Sequence, residues 1–352
     1  MVKVNRLNYI GSKFQLLEWI TGIIKEKTSW DSFENKRIAD LFSGTGIVSY
    51  HFRMANSIVF SNDVELYSSI ITHAFTLSVY TDTIKQIINQ IQTDLSENKH
   101  SCTVGFITLN YSPYDKNERM FFTVENAKRI DYIRDRLENL KNSITIDEYY
   151  FLLASLIISA DSISNVPAVY GCFLKKFKSK AIKDLIFKPI HELTVESAPG
   201  SSIFHSDILD SDFLSLPTLF DLVYLDPPYN ERQYSKNYFP LNIIAKTPDE
   251  LLSEPPLKGK TGIPTDCFIS PFCKKKNKIA EESFDKLFKE LKTEWLFMSY
   301  NSESIVSKDK ILELMQKYGS ASVVERDYKR FKSYEYNEDL SIKEYLFCLH
   351  KQ

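Results

Sequence analysis

Asp226, Pro227, Pro228 and Tyr229 follow one another without a break at the end of the apolar run Phe220-Asp221-Leu222-Val223-Tyr224-Leu225. The quartet sets a carboxylate, a rigid turn with free carbonyls and an aromatic ring side by side. Those groups suit methylation of an exocyclic amine on a flat heterocycle. Such an amine is a poor nucleophile, because its lone pair is delocalised into the ring. Acceptors against both N–H bonds push electron density back onto nitrogen and orient the lone pair. Asp226 offers one acceptor, the Pro227 carbonyl a second, and Tyr229 a face for stacking. Taken alone, the four residues read as well as a strand, a proline turn and a solvent-capped Asp.

The elements around the quartet decide between these readings. Residues 220–225 read as a buried strand that the prolines stop, because proline fixes φ and cannot donate to a sheet ladder. In open parallel sheets, ligands bind at the carboxyl ends of the strands. Residues 37–46, Arg-Ile-Ala-Asp-Leu-Phe-Ser-Gly-Thr-Gly, read as a strand (Ile38 to Phe42), a glycine turn and a helix beginning near Ile47. This is the first βα unit of a doubly wound fold. Gly44 and Gly46 let the backbone approach a ligand. Asp40, inside the strand, is costly unless paired, and a ligand ammonium group would pair it. Residues 58–63 form a second strand ending at Asp63, near the spacing of a ribose-binding acid, with Glu65 as competitor. These features point to a nucleoside cofactor without naming it. Before the glycine unit, Leu-Asn-Tyr-Ile-Gly-Ser-Lys (7–13) leads into an amphipathic helix expected from Lys13 to Lys27, with Gly11 and Ser12 as its cap.

From Leu66 to Gly200 the strand–helix alternation gives way to helical patterns at Thr83–Glu97, Asn126–Lys141 and Ile146–Ser162. We expect a catalytic domain of residues 1–65 plus 201–352 and a mainly helical insert, 66–200. The insert includes a lysine run with Lys175, Lys176 and Lys178 beside Tyr170, Phe173 and Phe177. It reads either as a solvated helix face or as a phosphate contact. Asp207 follows a strand near Ile203; it suits an adenine amino group or the N-cap of the next turn. Residues 245–278, with Lys260, Lys274 and Lys275, read as a basic mobile loop near the active site. Later strands at Glu294–Tyr300, Ser322–Tyr328 and Lys343–Leu349 close the chain, the last two as a hairpin carrying Lys329 and Arg330.

The chain has 352 residues, net charge −2 and 13% aromatic content, so any polyanion surface is local rather than global. Cys102, Cys172, Cys267, Cys273 and Cys348 show no zinc spacing, and we expect reduced thiols in a cytoplasmic protein without a membrane anchor.

Taken together, Asn8-Tyr9-Ile10-Gly11-Ser12-Lys13, Asp40-Leu41-Phe42-Ser43-Gly44-Thr45-Gly46, Asn62-Asp63 and Asp226-Pro227-Pro228-Tyr229-Asn230 resemble the amino-methylating DNA adenine methyltransferases of bacterial restriction-modification systems. The similarity spans most of the chain. It implies an α/β, Rossmann-like S-adenosylmethionine-dependent methyltransferase sheet with an inserted recognition region, no metal and no covalent intermediate. By this resemblance Tyr9, Gly11, Ser12 and Lys13 frame one side of the cofactor, and Asp40, Phe42, Ser43, Gly44 and Gly46 line its methionine part. Asp63 takes the ribose and Asp207 the adenine. The expected partners are duplex DNA, whose target adenine is flipped out, and a cognate restriction endonuclease. Methylation of cytosine, RNA adenine or protein glutamine, a non-catalytic DNA-binding relative, and a dinucleotide oxidoreductase are the competing readings. Asp at the first quartet position favours adenine over cytosine and glutamine, the long insertion suits duplex reading better than RNA, the intact quartet and glycine turn speak against the non-catalytic relative, and the oxidoreductase explains only the glycine turn and Asp63.

Overall fold

The structure, a computed structural model, describes residues 4–329 and 341–351. Arg330 and the rest of the expected basic hairpin loop lie outside the described residues. The chain divides into two compact units. One is residues Gly11–Glu65, Ser197–Gln233 and Phe268–Gln352; the other is Met1–Ile10, Leu66–Glu196 and Tyr234–Cys267.

The first unit is built on a seven-stranded sheet. Its strands are β1 (Arg37–Asp40), β2 (Ile58–Asp63), β3 (Ser202–His205), β4 (Phe220–Leu225), β5 (Thr293–Asn301), β6 (Gly319–Lys329) and β7 (Ser341–Lys351). They lie in the order β3-β2-β1-β4-β5-β7-β6. The first five are parallel, and β7 enters antiparallel between β5 and β6. This is the doubly wound, Rossmann-like methyltransferase arrangement expected from the sequence. Side chains alternate between faces, as period 2 demands. Ile38, Leu222, Tyr224, Phe297 and Leu346 pack under helices Leu17–Thr28 and Ile47–Met54. Ala39, Val223, Leu225, Leu296, Met298 and Phe347 pack under helices Ile279–Glu290 and Lys308–Gln316. The first helix starts later than expected: Lys13–Leu16 form a 3-10 turn, and Ser12 makes no side-chain cap to it.

The second unit is helical. Helix Ile146–Ser162 is buried along most of its length and begins with a capping box of Thr145 and Glu148. Helix Leu66–Thr76, which the sequence pattern does not reveal, and helices Asp82–Ser96 and Val124–Leu140 accompany it. The expected insert, 66–200, is therefore extended by two further stretches. Residues 4–10 are tied to the helices: Asn5 N–H donates to the Ile190 carbonyl (2.8 Å) and Asn8 N–H to Asp161 (3.0 Å). Helix Tyr234–Ala245 also belongs here, and its Asn242 accepts the Tyr67 N–H at 3.1 Å. The expected loop 245–278 is thus split between the units, and its first part carries helix Pro248–Leu252. Arg119 donates to the carbonyls of Lys260 and Gly259, and the Tyr111 hydroxyl donates to that of Gly262, which pins the turn between them.

The lysine run is not a helix face: residues 163–201 form neither helix nor strand. Two buried asparagines tie that segment down. Asn165 donates to the Met120 and Leu174 carbonyls and accepts the Lys178 N–H. Asn126 donates to the Ala181 and Lys183 carbonyls and accepts the Leu185 N–H. Such links satisfy backbone groups that have no ladder of their own.

Candidate active site

In the sheet unit β4 delivers Asp226 at its carboxyl end, beside β1 on one side and β5 on the other. Lys13 comes to the same place. Its ammonium is 2.8 Å from Asp226 Oδ1 and donates to the Gly11 carbonyl at 3.0 Å. Gly11 holds φ at 85°, a left-handed conformation that a side chain would disfavour. The lysine side chain is 5% exposed and that of Asp226 is 21% exposed, so the pair is largely but not wholly shielded from water. A third charged residue, Glu344 on β7, is buried there too and interacts electrostatically with both. The sequence reading missed it. Its only signal was an acid in an otherwise apolar strand pattern.

Burial pushes the Lys13 ammonium down, but attraction to Asp226 and Glu344 outweighs this and holds its pKa above the usual lysine value. Burial pushes Asp226 up, and Lys13 pulls it back without cancelling the rise. Glu344 is pushed up to about 7, by burial first and by the charge of Asp226, with Lys13 opposing. Tyr229 follows on the turn, half-buried, and its carbonyl accepts the Ile305 N–H at 2.9 Å.

The glycine turn lies beyond β1. Gly44 and Gly46 take left-handed φ values of 50° and 71°. The turn is closed by Gly46 N–H to the Ser43 carbonyl at 2.7 Å, and Ser43 N–H donates to Asn62 at 3.1 Å. Asp63 braces it: Oδ2 accepts the Gly44 N–H at 2.7 Å and Oδ1 the Glu65 N–H at 2.9 Å. Asp40 is 1% exposed. Its Oδ2 accepts the Ser49 hydroxyl at 2.7 Å, while Oδ1 is buried with no hydrogen-bond partner. Desolvation, together with the charges of Asp226 and Asp63, raises Asp40 to about 7 against the pull of Ser49. An orphaned carboxylate oxygen in the field of Asp63 and Asp226 fits a ligand that brings positive charge. Asp207, half-buried, caps the 3-10 turn Ile208–Asp210 through the Leu209 N–H.

Tyr9 is in the helical unit, stacked on Tyr238 with ring centroids 4.6 Å apart and tilted against Tyr234 at 5.5 Å. Lys175, Lys176, Lys260, Lys274 and Lys275 are exposed. Lys178 is not free in that way, because its ammonium donates to the Val166 carbonyl and burial lowers it to about 8. Lys329 ends β6.

Comparison with known proteins gives a consistent picture. Residues 9–298 match the family described as D12 class N6 adenine-specific DNA methyltransferase. Over 347 residues the chain is 38% identical to the Type II methyltransferase M.CviAII of Paramecium bursaria Chlorella virus 1, covering 99% of each. It is 34% identical to the Type II methyltransferase M.NlaIII of Neisseria lactamica, covering 93% of each. With the Type II methyltransferase M.FokI of Planomicrobium okeanokoites it shares 32% identity, over 98% of this chain and 53% of that one.

Proposed function

The chain belongs to the D12 class of N6 adenine-specific DNA methyltransferases, and on that premise we propose that it methylates adenine at one recognised duplex sequence, using Asp226, Pro227 and Tyr229 as its acceptor site. Family membership implies S-adenosylmethionine as donor. The observation that carries the reading is the Lys13–Asp226 pair at the end of β4. Lys13 engages Oδ1 and so fixes the plane of the carboxylate, leaving Oδ2 to accept one N–H of the target amine. The Pro227 carbonyl accepts the other, and the ring stacks on Tyr229. Two acceptors orient the nitrogen lone pair, and orientation with desolvation supplies most of the acceleration.

When bound, the cofactor supplies a methyl group already activated on a sulfonium. Asp40 Oδ1, lacking a partner, would hold its ammonium. Gly44 and Gly46 leave room for its methionine part, flanked by Phe42 and Ser43. Gly11, Ser12 and Lys13 frame its other side. Asp63 keeps acceptor capacity for ribose hydroxyls beyond the two N–H groups it already binds. Asp207 faces the adenine amino group in this reading.

A base inside a duplex cannot reach such a site, so the adenine is flipped out, at a cost of a few kcal/mol that stacking and hydrogen bonding offset. The helical unit reads the sequence, and exposed Lys175, Lys176, Lys260, Lys274 and Lys275, with Lys329 and Arg330, contact phosphates. Lys178 contributes to the fold of that segment first. A cognate endonuclease of the same specificity completes the system, in the cytoplasm. No helix among the described residues is long and apolar enough to cross a membrane.

The test is to incubate the protein with unmethylated bacterial DNA and S-adenosylmethionine and to map modified adenines by single-molecule sequencing. One recurrent sequence context is expected. Modification scattered without a shared context would overturn the site-specific reading, and modified cytosine would overturn the adenine assignment.

A further inference from the structure

We infer that Ser49 is a positioning residue of the cofactor site: its hydroxyl holds one oxygen of the Asp40 carboxylate and so dedicates the other, Oδ1, to the cofactor ammonium. This rests on the reading of Asp40 given above. Ser49 lies in the first turn of helix Ile47–Met54, among the buried Ile47, Val48 and Phe52. Ser49 and Ser61 of β2 are both wholly buried. The Ser49 hydroxyl donates to Asp40 Oδ2 at 2.7 Å and meets the Ser61 hydroxyl at 2.8 Å. Asp40 and Ser61 are register partners on neighbouring parallel strands, so Ser49 bridges them from the helix. A buried hydroxyl gains little over an apolar side chain of its size unless it bonds a group that needs it.

A hydroxyl has one proton to give, and an ionised carboxylate can only accept. With Asp40 ionised, Ser49 therefore donates to Asp40 and Ser61 donates to Ser49. The relay ends on Oδ2, and Oδ1 is buried with no hydrogen-bond partner. The charged groups that face Asp40 do not relieve it. Asp63 at the end of β2 and Asp226 at the end of β4 are like charges. The Tyr224 hydroxyl of β4 is bonded to Ser299 at 2.7 Å. Lys13 pairs with Asp226. Burial and the two acids raise Asp40 to about 7, and the Ser49 hydroxyl opposes them.

Loss of this hydroxyl has opposite pH signatures in binding and in stability. The ammonium needs Asp40 ionised, so affinity is present above the Asp40 pKa and falls as pH drops through it. Removing a hydrogen bond to the charged form raises that pKa. The affinity deficit is then largest on the acid side and closes at alkaline pH, where Asp40 is ionised in both proteins. In the cofactor-free fold Asp40 keeps its proton where the unfolded chain has lost it, so its contribution to stability is lost as pH rises through the folded pKa. A higher folded pKa carries that loss further, and the stability deficit is largest on the alkaline side.

The experiment measures by calorimetry the binding of S-adenosylhomocysteine, and of its analogue lacking the amino group, to wild type, Ser49→Ala, Ser49→Cys and Ser61→Ala at about pH 6 and pH 9. Melting of the cofactor-free proteins is followed at the same pH values. For Ser49→Ala the expected dissociation constant is about tenfold above wild type at pH 6 and within about twofold at pH 9, the ligand's own titration cancelling in the ratio. Its drop in melting temperature should be larger at pH 9 than at pH 6. Ser49→Cys fills the same space with a weaker donor and should show the same pattern, which carries the test if the alanine variant does not fold. Ser61→Ala leaves the Asp40 bond in place and should lose less than about threefold at pH 6. Ser49 variants that bind like wild type overturn the inference. So does a loss of equal size at both pH values with equal melting deficits, which would mark Ser49 as structural. Wild type that binds ligand and analogue equally overturns the reading of Asp40 as well, whereas wild type that prefers the amine beside unaffected Ser49 variants overturns this inference alone.

Discussion

Both units bury carboxylates, and Asp131 and Asp161 in one are treated in the opposite way to Asp40 in the other. In the helical unit Asp131 accepts the N–H groups of Gly105, Ile107 and Thr108 and the Thr108 hydroxyl, at 2.6 to 3.0 Å. Asp161 accepts the Asn8 N–H and the Tyr170 hydroxyl. Each is a knot that fastens chain segments. In the sheet unit Asp40 has an oxygen with no partner, and Asp226 has Lys13 on one oxygen only. A fold that can saturate Asp131 has the means to saturate Asp40, so the deficit at the strand ends marks a place where part of the bonding is left to a ligand. Unmet buried polarity costs stability and is kept where function uses it.

Lys13→Met is the most damaging way to break the comparison, because it strips the counter-charge from the largely shielded Asp226 carboxylate. We expect a loss of about 3 kcal/mol, the lower end for a broken buried pair since Asp226 is partly wet, and methyl transfer reduced by at least about 100-fold. Denaturant titration and initial rates check both. Asp131→Ala should cost a similar or slightly smaller amount, about 2–3 kcal/mol, by leaving buried donors unpaired. Its effect should be on stability alone, with kcat per folded molecule unchanged. A kcat defect without instability would break the contrast between the units.

Asp40→Asn sharpens the contrast, since it should stabilise the cofactor-free protein. An acid raised to about 7 keeps its proton when folded over roughly pH 4 to 7, where the unfolded chain has lost it. Its contribution is therefore full at low pH and is lost as pH rises through 7. At pH 8 the Asn variant should gain on the order of 1–3 kcal/mol, with no gain near pH 4, while binding S-adenosylmethionine more weakly. Melting curves at the two pH values and calorimetry decide it. The smallest effect belongs to Gly22, inside helix Leu17–Thr28, where an added Cβ would meet nothing within 4 Å. Gly22→Ala should stabilise by about 0.5–1 kcal/mol with activity unchanged, as scaffold far from any deficit.

The sheet unit was largely legible because its strands are short apolar runs that end in acids, and the run at Phe220–Leu225 coincides with β4. The glycine turn and the quartet were local in sequence, so they could be read as blocks. The helical unit was harder. Helix Tyr234–Ala245 contains Pro240 and a break at Tyr238, with φ −129° and ψ 16°, which erases the helical period. Helix Leu66–Thr76 is rich in Ser, Thr and Ile, residues with little helix preference, and is held by burial instead. The place of residues 4–10 among the helices depends on backbone bonds to Ile190, Asp161 and the Tyr238 hydroxyl, which no local pattern encodes. The same holds for Glu344: only the register of β7 against β5 sets it opposite Asn301.

The most direct test of the account is methyl transfer from labelled S-adenosylmethionine to unmethylated DNA, with wild type and Asp226→Ala side by side and the product nucleosides resolved by mass. Label on adenine N6 in the wild type, reduced by about 1000-fold in a variant that still melts cooperatively and binds cofactor, is the predicted result. Label on another base, or an Asp226→Ala enzyme that still methylates adenine at the wild-type rate, would contradict it.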